Sequence, residues 1–175
     1  YHKNTNPSLF YGFIVMKILI VDDEQLARQR LLHMLSSSHE HTIVGEAATG
    51  DQALTLAQKL NPDLVFMDIR MPGMDGLEFC RTIKQIVPDE RDLVLLVMTG
   101  QAGISEALET FKVGALDFLT KPIVPTHLVH VVERAAYQVE SRALDREFKE
   151  RLQAEVALNT IELTNNAIVL ETTNA

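Results

Sequence analysis

Leu64-Val65-Phe66-Met67-Asp68, with Ile69-Arg70-Met71-Pro72-Gly73 directly behind it, decides how this chain is read. Four apolar residues end abruptly in a carboxylate, and a Pro-Gly turn follows. A short apolar run bounded by turn signals reads as a strand buried in a parallel sheet. In open α/β sheets ligands bind in the crevice beyond the carboxyl ends of such strands. Asp68 therefore stands where chemistry is expected. The plainer alternative is an aspartate that caps the turn after its own strand.

On the N-terminal side, residues 17–21 form a β-branched apolar run that ends in Asp22-Asp23-Glu24. The pattern Leu26, Leu31, Leu32, Leu35 predicts a helix closed by Ser36-Ser37-Ser38. A weaker strand covers 42–47, and Thr49-Gly50 introduces a helix through Ala53, Leu54, Leu56, Ala57 and Leu60. Asn61-Pro62 stops it, because proline disfavours helix at the residue before it. On the C-terminal side, Asp75 and Glu78 have the spacing of a capping box. Leu77, Phe79, Ile83 and Ile86 carry that helix to Val87-Pro88. Residues 93–98 predict a fourth strand ending at Thr99-Gly100, and 105–113 a helix closed by Gly114. Residues 115–119 predict a short fifth strand ending at Thr120-Lys121-Pro122, and a last helix starts near Pro125-Thr126. Strand and helix thus alternate five times, with near-continuous apolar strands. The fold class that follows is α/β: a doubly wound, five-stranded parallel sheet with helices on both faces and right-handed crossovers.

Composition bounds the function. The 175 residues are 46% hydrophobic and 23% charged, with a net charge of −8. This is the make-up of a soluble globular protein, with no basic footprint for direct nucleic-acid or anionic-membrane binding. The longest apolar run, 9–21, is broken by Lys17, is too short to span a bilayer and leads into Asp22-Asp23 rather than a cleavage site, so no membrane segment is expected. The lone cysteine, Cys80, excludes an internal disulfide and reads as a small buried hydrophobe, consistent with a cytoplasmic setting. Met16, just before the first strong strand, is the expected natural start, which leaves residues 1–15 outside the fold.

The strand ends carry the chemistry. The first ends in Asp22 and Asp23, the third in Asp68, the fourth in Thr99 and the fifth in Lys121. A parallel sheet brings these ends to one edge. Three crowded carboxylates raise one another's pKa unless a cation sits among them. Oxygen-only ligands suit a hard divalent ion, Mg²⁺ in particular. Thr99 and Lys121 can then hold the oxygens of a phosphoryl group carried on Asp68, since an aspartate can attack phosphorus. Singly, each has a plainer reading: Asp22 and Asp23 as helix caps, Thr99 as a turn hydroxyl, Lys121 as a solvated lysine. Joint placement at successive strand ends is what those readings do not explain.

Val21-Asp22-Asp23-Glu24, the run 67–76, Met98-Thr99-Gly100 and Phe118-Leu119-Thr120-Lys121-Pro122 resemble the receiver domain of two-component response regulators, over about residues 16–137. The resemblance implies the flavodoxin-like (βα)5 receiver fold and a phosphorelay role. Asp68 would be the phosphoacceptor, charged by a sensor histidine kinase or a histidine phosphotransfer protein. Asp22, Asp23, Asp68 and the backbone carbonyl of Arg70 would hold Mg²⁺. Thr99 and Phe118 would be the switch pair, and Lys121 would contact the phosphoryl oxygens across a cis bond to Pro122. Gly100 would leave room for the phosphoryl group, and the Arg70 side chain would influence its lifetime. Phe118 also has a plainer reading, as a strand aromatic filling core.

Residues 138–175 continue past the receiver as an extended helix, linker and tail. Leu128, Val132, Ala135 and Val139 step 4-3-4, a coiled-coil-like seam, and the phase then slips to Leu144, Phe148, Leu152 and Val156. Asp145/Lys149 and Glu147/Arg151 are helix-supporting pairs. A dimerising helix that passes state to an output domain or downstream protein is one reading, a solvated trailing helix the other. Helix signals fade beyond Asn159, so 160–175 are expected to fray. His127 and His130 read as surface residues, not ligands. Two competing functions remain: a Mg²⁺-dependent haloacid-dehalogenase-like phosphohydrolase, against which adjacent Asp22-Asp23 in place of D-x-D speaks, and a pseudo-receiver that binds partners without phosphorylation.

Overall fold

The structure is a computed structural model and describes residues 15–36, 41–87, 93–100 and 104–173. The readings placed on residues 1–14, on Ser37-Ser38 and on Pro88 lie outside the described residues. Ten elements alternate: β1 (Met16–Val21), α1 (Gln25–Leu35), β2 (His41–Ala47), α2 (Gly50–Leu60), β3 (Leu64–Asp68), α3 (Gly76–Ile86), β4 (Val94–Thr99), α4 (Ile104–Lys112), β5 (Asp117–Thr120) and α5 (Pro125–Thr173). All four strand pairings are parallel, in the order β2-β1-β3-β4-β5.

Alternation along the strands builds two cores, because successive side chains point to opposite faces. Leu19, Val21, Val65, Met67, Leu95 and Val97 face Ala53 and Ala57 of α2 and Phe79, Cys80 and Ile83 of α3. Ile18, Ile20, Leu64, Phe66, Leu96 and Met98 face Leu31 and Leu35 of α1 and Leu128, Val131 and Ala135 of α5. Every residue of β3 and β4 is buried, which is why both read as unbroken apolar runs. β2, at the sheet edge, is mostly half-buried and carries a bulge where Ile18 pairs Ile43 but Leu19 pairs Gly45. Cys80 is buried, and burial pushes its thiol up to about 12.

The boundaries follow local chemistry. Thr49 and Asp75 cap α2 and α3 by accepting from the N–H groups of Gln52 and Glu78, the usual use of short oxygen side chains at a helix start. Asn61 ends α2 in the left-handed region, φ 50. Gly114, φ 75, follows α4, and its carbonyl accepts from Lys84 Nζ of α3 at 3.1 Å. Pro125 opens α5, where its missing N–H costs nothing.

Several expectations need correction. Leu26 is 66% exposed. Five residues of helix separate it from Leu31, about 140° of rotation, so the two cannot share a face. Ile86, in the last turn of α3, is likewise exposed. β5 starts at Asp117 rather than 115, and Ala115 and Leu116 approach it as irregular chain. The seam Leu128, Val132, Ala135, Val139 is buried in the domain's own core; its 4-3-4 spacing is the stripe by which α5 packs on the sheet, not a face for a partner. Helix does not stop near Asn159 but runs to Thr173, with neither proline nor glycine between 126 and 173 to break it. The chain forms two compact units, Tyr1–Val139 and Glu140–Ala175. Within the second, Leu144, Phe148, Leu152, Val156, Leu158, Ile161 and Leu163 are all exposed. No helix among the described residues is long and apolar enough to cross a membrane.

Candidate functional site

Strand order reverses between β1 and β3: the chain leaves β1 for β2 on one side and returns to β3 on the other. A crevice opens at such a point, beyond the carboxyl ends of the two strands. Asp22 and Asp23 follow β1, and Asp68 ends β3. Each of the three offers a carboxylate oxygen, and these oxygens lie within 4.8 Å of one another. Asp22 and Asp68 are buried, Asp23 exposed.

Lys121, just past β5, reaches into this group. Its Nζ is 2.7 Å from Asp22 Oδ2 and 2.9 Å from Asp68 Oδ1. Asp22 Oδ2 is sealed from solvent and, apart from this ion pair, has no hydrogen-bond partner among the described residues. One ammonium thus stands against three carboxylates. Burial raises the Asp68 carboxyl above its ordinary value; Lys121 pulls it down, but burial, aided by the neighbouring charges of Asp22 and Asp23, prevails. Burial works to lower the Lys121 ammonium, but Asp22 and Asp68 outweigh it and hold its pKa above the usual value.

Backbone hydrogen bonds fix the strand ends that carry these groups. The Asp22 N–H donates to Ala47 O (3.1 Å), Ile69 N–H to Met98 O (2.9 Å), Gly76 N–H to Ile69 O (3.0 Å) and Lys121 N–H to Thr99 O (2.8 Å). Asp22 Oδ1 also accepts from the Glu24 N–H at 2.9 Å, a turn that an aspartate makes with the backbone two residues on. The Lys121–Pro122 bond is cis.

Thr99 is buried at the end of β4, one residue beyond Met98, the register partner of Asp68. Phe118 lies in β5 opposite Val97 and meets Phe111 of α4 edge to face, centroids 6.1 Å apart. Arg70 is exposed in the segment after β3. A Cβ added to Gly100 would meet nothing within 4 Å among the described residues. The structure therefore gathers Asp22, Asp23, Asp68 and Lys121 into one cluster and sets Thr99, Phe118 and Arg70 on the adjoining segments. A groove of about 770 Å³ opens alongside, lined by Leu26, Met34, Met98 and Ile123 among others. Exposed Leu26, out of place as a core residue, belongs to its wall.

Sequence reasoning missed Arg28 and Glu46. Arg28 Nη1 donates to the backbone carbonyl of Asp22 at 2.7 Å, and its Nε to Glu46 Oε2 at 3.2 Å. An arginine in the second turn of an amphipathic helix reads as solvated surface, and only the pairing of β2 with β1 brings Glu46 to it.

Comparison with known proteins is consistent across sequence and structure. The family model of the response regulator receiver domain matches residues 18–133. A positive alginate biosynthesis regulatory protein of Pseudomonas aeruginosa is 38% identical over 122 residues, 69% of this chain and 47% of that protein. The protein CcdB of Bacillus subtilis is 37% identical over 118 residues, 67% of this chain and 95% of that protein. Among solved structures, the receiver domain of AraT, a response regulator from Geobacillus stearothermophilus, superposes with a TM-score of 0.66 at 32% identity, covering 74% of this chain and 98% of that one. The chain spans about half the length of the first of these relatives and nearly all of the second.

Proposed function

This chain belongs to the response regulator receiver domain family of two-component signalling, and from that premise we propose that it is a phosphorelay switch whose phosphoacceptor is Asp68. The carrying observation is the cluster itself: three carboxylates within 4.8 Å, with one ammonium between two of them.

In the proposed reaction an Asp68 carboxylate oxygen attacks the phosphorus of a phosphohistidine on a sensor kinase or phosphotransfer protein. A P–O bond to Asp68 forms, the P–N bond breaks, and the imidazole leaves with the electron pair. Water later attacks the same phosphorus, the P–O bond to Asp68 breaks, and inorganic phosphate leaves the regenerated carboxylate. The Lys121 ammonium neutralises charge on the phosphoryl oxygens and holds them in place. The Thr99 hydroxyl engages the same oxygens as the switch group, and Phe118 follows its movement against α4. Arg70, beside the acceptor, sets how water reaches it. The groove along α1 gives a protein donor an apolar face to lie on.

A divalent ion fits this donor set. Its ligands are hard oxygens, three carboxylates stand against the Lys121 ammonium, and among the described residues a sealed carboxylate oxygen of Asp22 has that ammonium as its one polar partner. Asp22, Asp23, Asp68 and the Arg70 carbonyl would hold Mg²⁺, which when bound supplies charge neutralisation for the transferring group.

Acetyl phosphate with Mg²⁺ tests the proposal: at most one phosphoryl group per chain should accumulate and then decay. Multiple turnover of an added phosphate ester, lost in Asp22→Asn but kept in Asp68→Asn, would instead make the chain a phosphohydrolase. No adduct at all would make it a pseudo-receiver. The output domain or downstream protein would read the surface of β4, β5 and their helices.

The dimerisation reading moves to residues 144–163, whose large apolar side chains are exposed. Pairing of two chains there predicts the mass of a dimer in light scattering, falling to a monomer when Phe148 and Leu152 are both replaced by glutamate.

A further inference from the structure

The Asp22 carbonyl belongs to the peptide unit that joins the two acidic residues after β1. Both peptide units that flank the Asp22 Cα are held. In the preceding unit, the Asp22 N–H donates to Ala47 O of β2 at 3.1 Å. On the far side, the Asp22 carbonyl accepts from Arg28 Nη1 at 2.7 Å, and the same guanidinium donates through Nε to Glu46 Oε2 at 3.2 Å. Glu46 and Ala47 are consecutive in β2, so the contacts close a ring: Asp22, Arg28, Glu46, Ala47 and back to Asp22. The Arg28 side chain is 15% exposed, packed in rather than trailing in solvent.

With the 21–22 peptide tied to β2 and the carbonyl of the 22–23 peptide tied to Arg28, the backbone on both sides of Asp22 is restrained, and with it the direction in which residue 23 leaves. Asp23 itself is exposed. Its carboxylate nevertheless lies within 4.8 Å of the oxygens of Asp22 and Asp68. We infer that Arg28, braced by Glu46, is a positioning residue that presents the Asp23 carboxylate to a divalent cation. The inference rests on the metal-binding reading above and deepens it. Lysine cannot replace the guanidinium here, because one planar fork reaches two acceptors in fixed directions.

Charge and position act in opposite directions at this site, which makes the role testable. A cationic group near the cluster repels Mg²⁺, so if Arg28 acted only through its charge, Arg28→Ala would bind Mg²⁺ more tightly. If it acts by positioning, the same substitution weakens binding, by about tenfold for a residue that orients a ligand. Amide chemical-shift titration of the full chain with MgCl₂ reads this without any phosphodonor. Arg28→Ala, Arg28→Gln and Arg28→Lys should each weaken Mg²⁺ binding, the lysine variant despite its retained charge. Glu46→Ala should weaken it by a smaller factor, and Glu46→Gln, which keeps the acceptor, less still. Should Arg28→Ala fail to fold, the glutamine and Glu46 variants carry the test.

Phosphorylation from acetyl phosphate should recover towards the wild-type rate at saturating Mg²⁺ in the Arg28 variants, a separation that general loss of structure would not give. Unchanged or tighter Mg²⁺ binding in folded Arg28→Ala overturns the positioning role alone. Absence of saturable shifts in the wild-type chain overturns the metal-binding reading and the role with it.

Discussion

Lys121→Met is expected to slow phosphorylation of this chain by acetyl phosphate about 10- to 100-fold while tightening its hold on Mg²⁺. The two effects have one origin. Lys121 Nζ lies 2.7 and 2.9 Å from oxygens of Asp22 and Asp68, where it would compete with a metal ion for the same carboxylates. The proposed transfer needs that ammonium on the phosphoryl oxygens, and a single preorganised donor of this kind is worth about a hundredfold or more where nothing replaces it. A bound Mg²⁺ would still neutralise part of the charge, which places the expected loss at the lower end. Methionine keeps most of the side-chain volume, so the change is chiefly one of charge.

The same variant has a defined pH signature in the absence of metal. The Asp68 carboxyl already sits above its ordinary value of 3.8, with burial the main cause and Lys121 pulling against it. Removing the ammonium raises it further. An acid whose pKa is higher in the folded than in the unfolded chain favours folding below the unfolded value and loses that contribution as pH rises through the folded one. Lys121→Met should therefore lose more stability at pH 7 than at pH 4 in thermal melts. Equal losses at both pH values, or weaker Mg²⁺ binding, would contradict the assigned role.

Gly76→Ala carries the largest expected structural effect. A Cβ on Gly76 would stand 2.2 Å from the carbonyl oxygen of Asp68 and 2.9 Å from Ile69 Cα. Both are backbone atoms, so no side-chain rotation relieves the overlap, and either the start of α3 or the end of β3 must move. The Gly76 N–H bond to Ile69 O would be disturbed in the same step. Overpacking against backbone costs about 3 kcal/mol, or a melting temperature about 6–12 °C lower in a chain of this size. Because the displaced backbone includes Asp68, phosphorylation should fall even at temperatures where Gly76→Ala is folded. A melting temperature within about 2 °C of wild type would show that the turn yields more easily than its contacts indicate.

What was legible in the sequence follows from what sequence patterns encode. β1, β3 and β4 are covered on both faces, so burial wrote itself as continuous apolar runs. Their ends read as one constellation because a parallel sheet leaves little choice about where those ends meet. β2 was fainter because an edge strand buries less. Periodicity reported that Leu128, Val132, Ala135 and Val139 share a face, but not what covers it. The sheet does. The reach of α5 to Thr173 was hidden because an exposed stretch without breakers can be helical without strong helix signals. Arg28 and Glu46 meet only through the neighbouring of β2 and β1, and the closeness of Gly76 to Asp68 depends on the path of the intervening loop. Contacts of that kind leave no local pattern.

The carboxylate of residue 68, among its acidic neighbours, is proposed to accept phosphoryl groups with the help of a divalent ion. Peptide mapping by mass spectrometry after treatment with acetyl phosphate tests it most directly. A hydroxylamine-labile phosphoryl group is expected on Asp68 when Mg²⁺ is present, and none with chelator or in Asp68→Asn. A group found on another residue, or one that forms as readily in chelator, would contradict it.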